Sequence, residues 1–209
     1  MELSRSRKVA CIERDDVMNN PNAIVEATIH RLIQFSRGYS FKSEDEIRGY
    51  FLADISRAIE DRRTEYELIP EHPTAERYTR PDGLRLKSGE GKPGRIDIVL
   101  KMPSSGRIGI ELEYPRGSGL KEQERFRSHI SNDLLKLNQE KGLTDRYLLV
   151  FLYTDPPFDI SNLTEEFESE FRDVRFALLM MKKKSSEGRS QNPVKKDMQY
   201  PQNWLSLTH

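Results

Sequence analysis

Gly94-Arg95-Ile96-Asp97-Ile98-Val99-Leu100 and Ile108-Gly109-Ile110-Glu111-Leu112-Glu113-Tyr114 are the two stretches on which the reading of this chain turns. The first is rich in Ile and Val. The second alternates apolar and polar residues with period two. Both are β-strand patterns. Between them, Lys101-Met102-Pro103-Ser104-Ser105-Gly106-Arg107 carries turn chemistry, so a hairpin is expected. On the second strand Ile108, Ile110 and Leu112 share one face, and Gly109, Glu111 and Glu113 share the other. Asp97 flanks Ile96 and Ile98 and should point away from both. Pairing of the strands would therefore gather Asp97, Glu111 and Glu113 on one surface. Carboxylates held together raise one another's pKa unless a cation lies among them, and hard oxygen donors suit Mg2+ or Mn2+.

An Asp on one strand with an acidic-x-acidic triplet on the next resembles the catalytic hairpin of the PD-(D/E)xK nuclease superfamily, in which the triplet is acidic-x-Lys. Ile96 stands at the motif's Pro, and Glu113 stands at its Lys, where some type II restriction enzymes carry Glu or Gln. The resemblance spans roughly residues 43–181. It implies a restriction-endonuclease-like α/β core in αβββαβ order, with a mixed central sheet flanked by helices and an extra N-terminal helix. It also implies a Mg2+- or Mn2+-dependent DNA endonuclease that hydrolyses phosphodiesters. Asp97, Glu111 and Glu113 would then be catalytic, with Asp97 and Glu111 holding the metal and Glu113 serving as general base. Members of this superfamily often add an acid from the helix before the sheet, and Glu46, Asp54 and Glu60 are the candidates. Other readings are a repair or junction nuclease, an inactive relative that binds nucleic acid or protein, and an unrelated α/β domain with a solvated acidic strand.

The flanking sequence supplies the other elements. Asn20-Pro21 is an N-cap followed by a helix-starting Pro, and the helix should run to Gly38. Ser43 with Glu46 forms a capping box, followed by the stripe Ile47, Phe51, Ile55 and Ala58. A strand is expected over 64–70. Residues 71–94 read as a long basic loop, rich in Gly and Pro, from which Arg77, Arg80, Arg85, Lys87 and Lys92 could contact phosphates. Arg116 and Lys121, just after the hairpin, could do the same. A helix over 120–141 carries Phe126, Ile130, Leu134 and Leu137 on its apolar side, and its polar side, including Lys136, reads as solvated charge. Tyr147 to Tyr153 is a near-continuous apolar run, expected to be a strand buried on both faces. A short helix over 161–171 and a strand over 174–181 complete the core.

With 209 residues the chain should be one domain over 1–181, comprising a helical part (20–63) and a core (64–181), followed by a basic tail over 182–209. Trp204 and Tyr200 could dock that tail. The single cysteine, Cys11, excludes an internal disulfide and a Cys-rich zinc site. No apolar run is long enough to span a membrane, and the N-terminus lacks a signal-peptide core, so a cytoplasmic location is the expectation. The 34 basic and 34 acidic residues give zero net charge. That is low for a DNA-binding protein, unless acids committed to a metal site account for it. Cutting both strands of a duplex with one site per subunit would call for a homodimer.

Overall fold

The computed structural model describes residues 20–79, 86–89, 91–103, 106–115, 120–153 and 171–181. Within them, helices α1 (Pro21–Ser36), α2 (Glu44–Arg62) and α3 (Leu120–Gln139) surround six strands: β1 (Glu67–Thr79), β2 (Lys87–Ser88), β3 (Lys92–Lys101), β4 (Arg107–Glu113), β5 (Leu143–Tyr153) and β6 (Arg175–Met181). The sheet runs β2-β1-β3-β4-β5-β6. It is antiparallel from β2 to β4 and parallel from β4 to β6. The molecule is thus mixed α/β. Cys11, the helix expected before Phe171 and the tail with Tyr200 and Trp204 lie outside the described residues.

Local chemistry sets the helix ends. Asn20 accepts from Asn22 N–H at 2.9 Å, and Pro21 occupies the first turn. Ser43 accepts from Glu46 N–H at 3.2 Å. The reciprocal half of that capping box goes elsewhere: the Glu46 carboxylate accepts from Lys42 N–H at 2.7 Å and from the Tyr39 hydroxyl. Arg63, in the left-handed region at φ 51°, ends α2.

Two apolar layers sandwich the sheet. On one face Ile24, Ile29, Leu32, Ile47, Phe51 and Ile55 of α1 and α2 pack on Ile98, Leu100, Ile108, Ile110 and Leu112. On the other, Phe126, Ile130, Leu134 and Leu137 of α3 pack on Val99, Leu148, Val150 and Leu152. Burial of each such side chain contributes about 1.5–3 kcal/mol, so both faces are firmly covered. The alternation expected in β4 is present, but its polar side is not solvated. Glu111 and Glu113 lie beneath α3 and are only 1% and 6% exposed.

Two expectations need correction. Residues 71–94 are not one long loop, because β1 continues to Thr79 and β3 begins at Lys92. Pro70 and Pro73 pair opposite Ile98 and Arg95. Over this length β1 is an edge among the described strands, since β2 pairs only with Tyr78 and Thr79, and an edge tolerates missing N–H groups. Ile96, moreover, joins the apolar layer under α3 rather than the one holding Ile98. The strict alternation therefore breaks around Asp97.

Candidate active site

The break has a structural cause. β3 and β4 pair from Lys101–Arg107 to Ile98–Ile110, and the ladder stops there. Beyond that point side chains fill the gap. Asp97 N–H donates to Glu111 Oε2 at 3.2 Å, and Leu112 N–H donates to Asp97 Oδ2 at 2.8 Å. Each carboxylate thus satisfies a backbone donor that a regular ladder would have paired. Asp97 and Glu111 are therefore adjacent on one face, and Glu113 follows two residues on.

Helix α3 lies across this face. His129, Asp133 and Lys136, spaced i, i+4 and i+7, form one stripe on it. Lys136 Nζ is 2.6 Å from Glu111 Oε1 and 2.8 Å from Asp133 Oδ1, and it donates to the Arg95 carbonyl at 2.8 Å. Its side chain is only 13% exposed, which corrects its reading as solvated charge. The sequence signal was available in the helical spacing of three polar residues beside Phe126, Ile130 and Leu134, but it needs the packed helix to give it meaning. Glu111 Oε1 is a buried oxygen whose close partner is the Lys136 ammonium. His129 Nδ1 lies 3.3 Å from Glu113 Oε1.

The electrostatics follow from crowding and burial. Burial raises the Asp97 carboxyl above its usual range, with Asp133 adding to the effect. Burial also pushes Glu111 well up, again reinforced by Asp133 and partly offset by Lys136. Glu113 is driven well up by burial, then by Asp133 and Glu44. For Lys136 burial acts to lower the pKa, but Asp133 and Glu111 outweigh it and the net shift is upward. Lys136 is therefore a permanent cation among carboxyls that resist ionising.

These groups line a cleft of about 800 Å³ with seven carboxylates and four Lys or Arg side chains. The first turn of α2 contributes Glu44 and Asp45, with Arg48 behind them. The Arg48 guanidinium contacts Asp45 and Glu71, and reaches Asp97 Oδ1 at 3.3 Å. Glu71 sits between the β1–β3 pairs Pro70–Ile98 and His72–Ile96, opposite Asp97, at φ 52°. A non-glycine residue in that conformation is uncommon.

The other residues singled out in the sequence scatter. Glu46 is occupied by Tyr39 and Lys42, and Asp54 pairs with Arg31 of α1 at 2.7 Å. Glu60 is exposed, and none of these three lines the cleft. Glu44, two residues before Glu46, is the acid that α2 presents there. Lys92 lines the cleft, whereas Arg77 donates to the Gly91 carbonyl at 2.6 Å. Lys87 and Lys121 are exposed outside the cleft, and Arg80, Arg85 and Arg116 lie outside the described residues.

Whether these residues suit a divalent cation can be judged from their donors. Among the described residues no three His, Cys, Asp or Glu side chains stand in a chelating arrangement. The ammonium of Lys136 lies against Glu111 and the guanidinium of Arg48 against Asp97. The donor set nevertheless fits a hard cation. Asp97, Glu111 and Glu113 offer carboxylate oxygens, in a cleft holding more acids than fixed cations. Among the described residues no helix is long and apolar enough to cross a membrane. No family model, curated protein or solved structure matches the chain.

Proposed function

We propose that this protein is a metal-dependent DNA endonuclease of the type II restriction-like kind, with a restriction-endonuclease-like core. The observation that carries the reading is the split between β3 and β4, across which Glu111 accepts from Asp97 N–H and Asp97 accepts from Leu112 N–H, while Lys136 is held 2.6 Å from Glu111. The element order supports it too, with an antiparallel β1–β3–β4 unit followed by a helix and a parallel strand.

Asp97 and Glu111 would hold Mg2+ or Mn2+, with Glu113, Glu44 and Asp133 close by. The cation would supply Lewis acidity at the scissile phosphate. Lys136 answers the difficulty posed by Glu at the motif's Lys position. It brings positive charge to the same face from α3, steadied by Asp133 and the Arg95 carbonyl, and that charge favours the phosphate as negative charge develops. Glu113 is the proton acceptor for the attacking water. Burial and the neighbouring acids Asp133 and Glu44 raise its pKa, which strengthens it as a base, and Nδ1 of His129 lies beside its Oε1.

A plasmid-nicking assay tests this. The protein should convert supercoiled DNA to relaxed circles in Mg2+ or Mn2+ and leave it intact in excess chelator. Asp97→Asn and Glu111→Gln should each lower the rate by at least about a hundredfold, since loss of groups that merely support metal ligands already costs 10–100-fold. Cleavage that continues unchanged in chelator rejects the mechanism.

A further inference from the structure

Arg48 is not accounted for by the chemistry above. It lines the cleft from α2 with its side chain 20% exposed, and it touches three acids. Two of them, Asp45 on its own helix and Glu71 on β1, flank the cleft and are 81% and 41% exposed. The third, Asp97, is 15% exposed and is a proposed metal ligand. Asp97 Oδ2 is committed to Leu112 N–H, which leaves Oδ1, and it is Oδ1 that Arg48 meets at 3.3 Å. The guanidinium therefore stands on the oxygen a metal would use. The left-handed backbone at Glu71 accompanies a second anchor for Arg48, opposite Asp97 in register, with Arg95 3.6 Å beyond. Strained residues of this kind persist where the surrounding structure holds them in place.

We infer that Arg48 is a positioning residue that a divalent cation releases from Asp97 and makes available to the substrate's phosphate backbone. The inference rests on the nuclease reading and deepens it. A cation on Asp97 Oδ1 would repel the guanidinium that lies 3.3 Å from the same oxygen, so metal binding weakens the hold of Asp97 on Arg48. Asp45 and Glu71 remain as its pivot. Arginine's planar fork then suits a phosphate, which it can grip bidentately. The cleft would thus hold DNA well only once metal is in place, and without metal Arg48 helps to neutralise the acids.

Two variants test it, Arg48→Ala and Arg48→Gln. The second keeps a polar, uncharged hydrogen-bonding group on a shorter stem, and a thermal melt in chelator checks its fold. Titration calorimetry with Mn2+ alone, without DNA, should show both variants binding about three- to tenfold more tightly than wild type, because a charge-assisted bond no longer competes. Binding of an oligonucleotide duplex in Ca2+ should show the reverse. The slope of log affinity against log salt should fall by about 0.9 in the variants, the loss of one phosphate contact, and should be unchanged in chelator. Unchanged or weaker Mn2+ affinity in both variants, beside a wild type that binds Mn2+, overturns the release device and leaves the nuclease reading standing. A salt slope reduced equally in chelator also overturns it. Absence of Mn2+ binding from all three proteins overturns both readings together.

Discussion

Removal of the Lys136 ammonium should destabilise the protein by an amount that depends on pH in a defined direction. In Lys136→Ala, Glu111, at 1% exposure with Asp97 and Asp133 nearby, loses its close cation and must carry an uncompensated charge or take up a proton. Breaking a buried ion pair from one side costs about 3–5 kcal/mol, and at this burial little of that is screened. For a chain of this size each kcal/mol moves Tm by about 2–4 °C, so a fall of roughly 6–20 °C is expected at pH 8 in chelator. The Lys101–Glu67 pair is the control. It spans 2.9 Å, but its side chains are 52% and 61% exposed. An exposed pair contributes about 0–1 kcal/mol, so Lys101→Ala should shift Tm by no more than about 4 °C. The sign of the pH effect follows from Glu111. Its folded pKa lies above its unfolded value, so proton uptake favours the folded state at low pH, and that benefit is lost as pH rises through the folded pKa. In Lys136→Ala, Glu111 can take up a proton, and the deficit should shrink as pH falls towards 5. Replacing both partners, as in Lys136→Met with Glu111→Leu, should recover much of the loss, because apolar substitutes for a buried pair are often tolerated. Differential scanning calorimetry in chelator at both pH values reads all of this. A Lys136→Ala melt within about 2 °C of wild type at pH 8, or a deficit that grows on acidification, would refute the placement of Lys136 as a buried counter-ion.

Further outcomes follow from the same interior. In the metal-free wild type the raised pKa values of Asp97, Glu111 and Glu113 should make stability decline as pH rises from about 4 through the folded values, and Mn2+ should flatten the decline; melts across pH with and without Mn2+ check both. Tyr114→Phe removes a buried hydroxyl that donates to the Phe41 carbonyl at 2.9 Å, linking the end of β4 to the loop before α2, and should cost about 1 kcal/mol in urea denaturation. Gly109→Ala would place a Cβ 2.7 Å from Leu143 Cδ1 and 3.1 Å from Leu137 Cδ2, and overpacking there should cost about 1–3 kcal/mol in the same assay.

Much of the scaffold was legible because periodicity survives folding. The alternation in β4 put Glu111 and Glu113 opposite Ile110 and Leu112, and the apolar run at Tyr147 marked a strand covered on both sides. The legible part ended where long-range contacts decide. Pro70 and Pro73 look like strand breakers in isolation and are accommodated only because β1 is an edge over that length. The solvated reading of Lys136 failed because nothing local says that α3 turns this residue towards buried acids. Glu46 and Asp54 drew attention as acids near an apolar stripe, yet the loop before α2 and helix α1 claim them. Glu71 and Arg48 carried no sequence signal, since their meeting depends on β1 and α2 arriving at the same cleft wall.

The backbone hydrogen bonds that Asp97 and Glu111 accept bear on how any variant of this cleft is interpreted. Each side chain closes an open seam in the sheet as well as carrying charge. Alanine at either position deletes an acceptor and strands an amide, so a loss of the proposed activity would report a shifted strand as readily as a missing ligand. Amide replacements retain a carbonyl oxygen for that amide while removing the charge and turning the other oxygen into an NH2 donor. Comparing the alanine and amide series, by melting temperature and by the rate of the proposed cleavage, separates the architectural role of these two acids from the metal-binding role proposed for them.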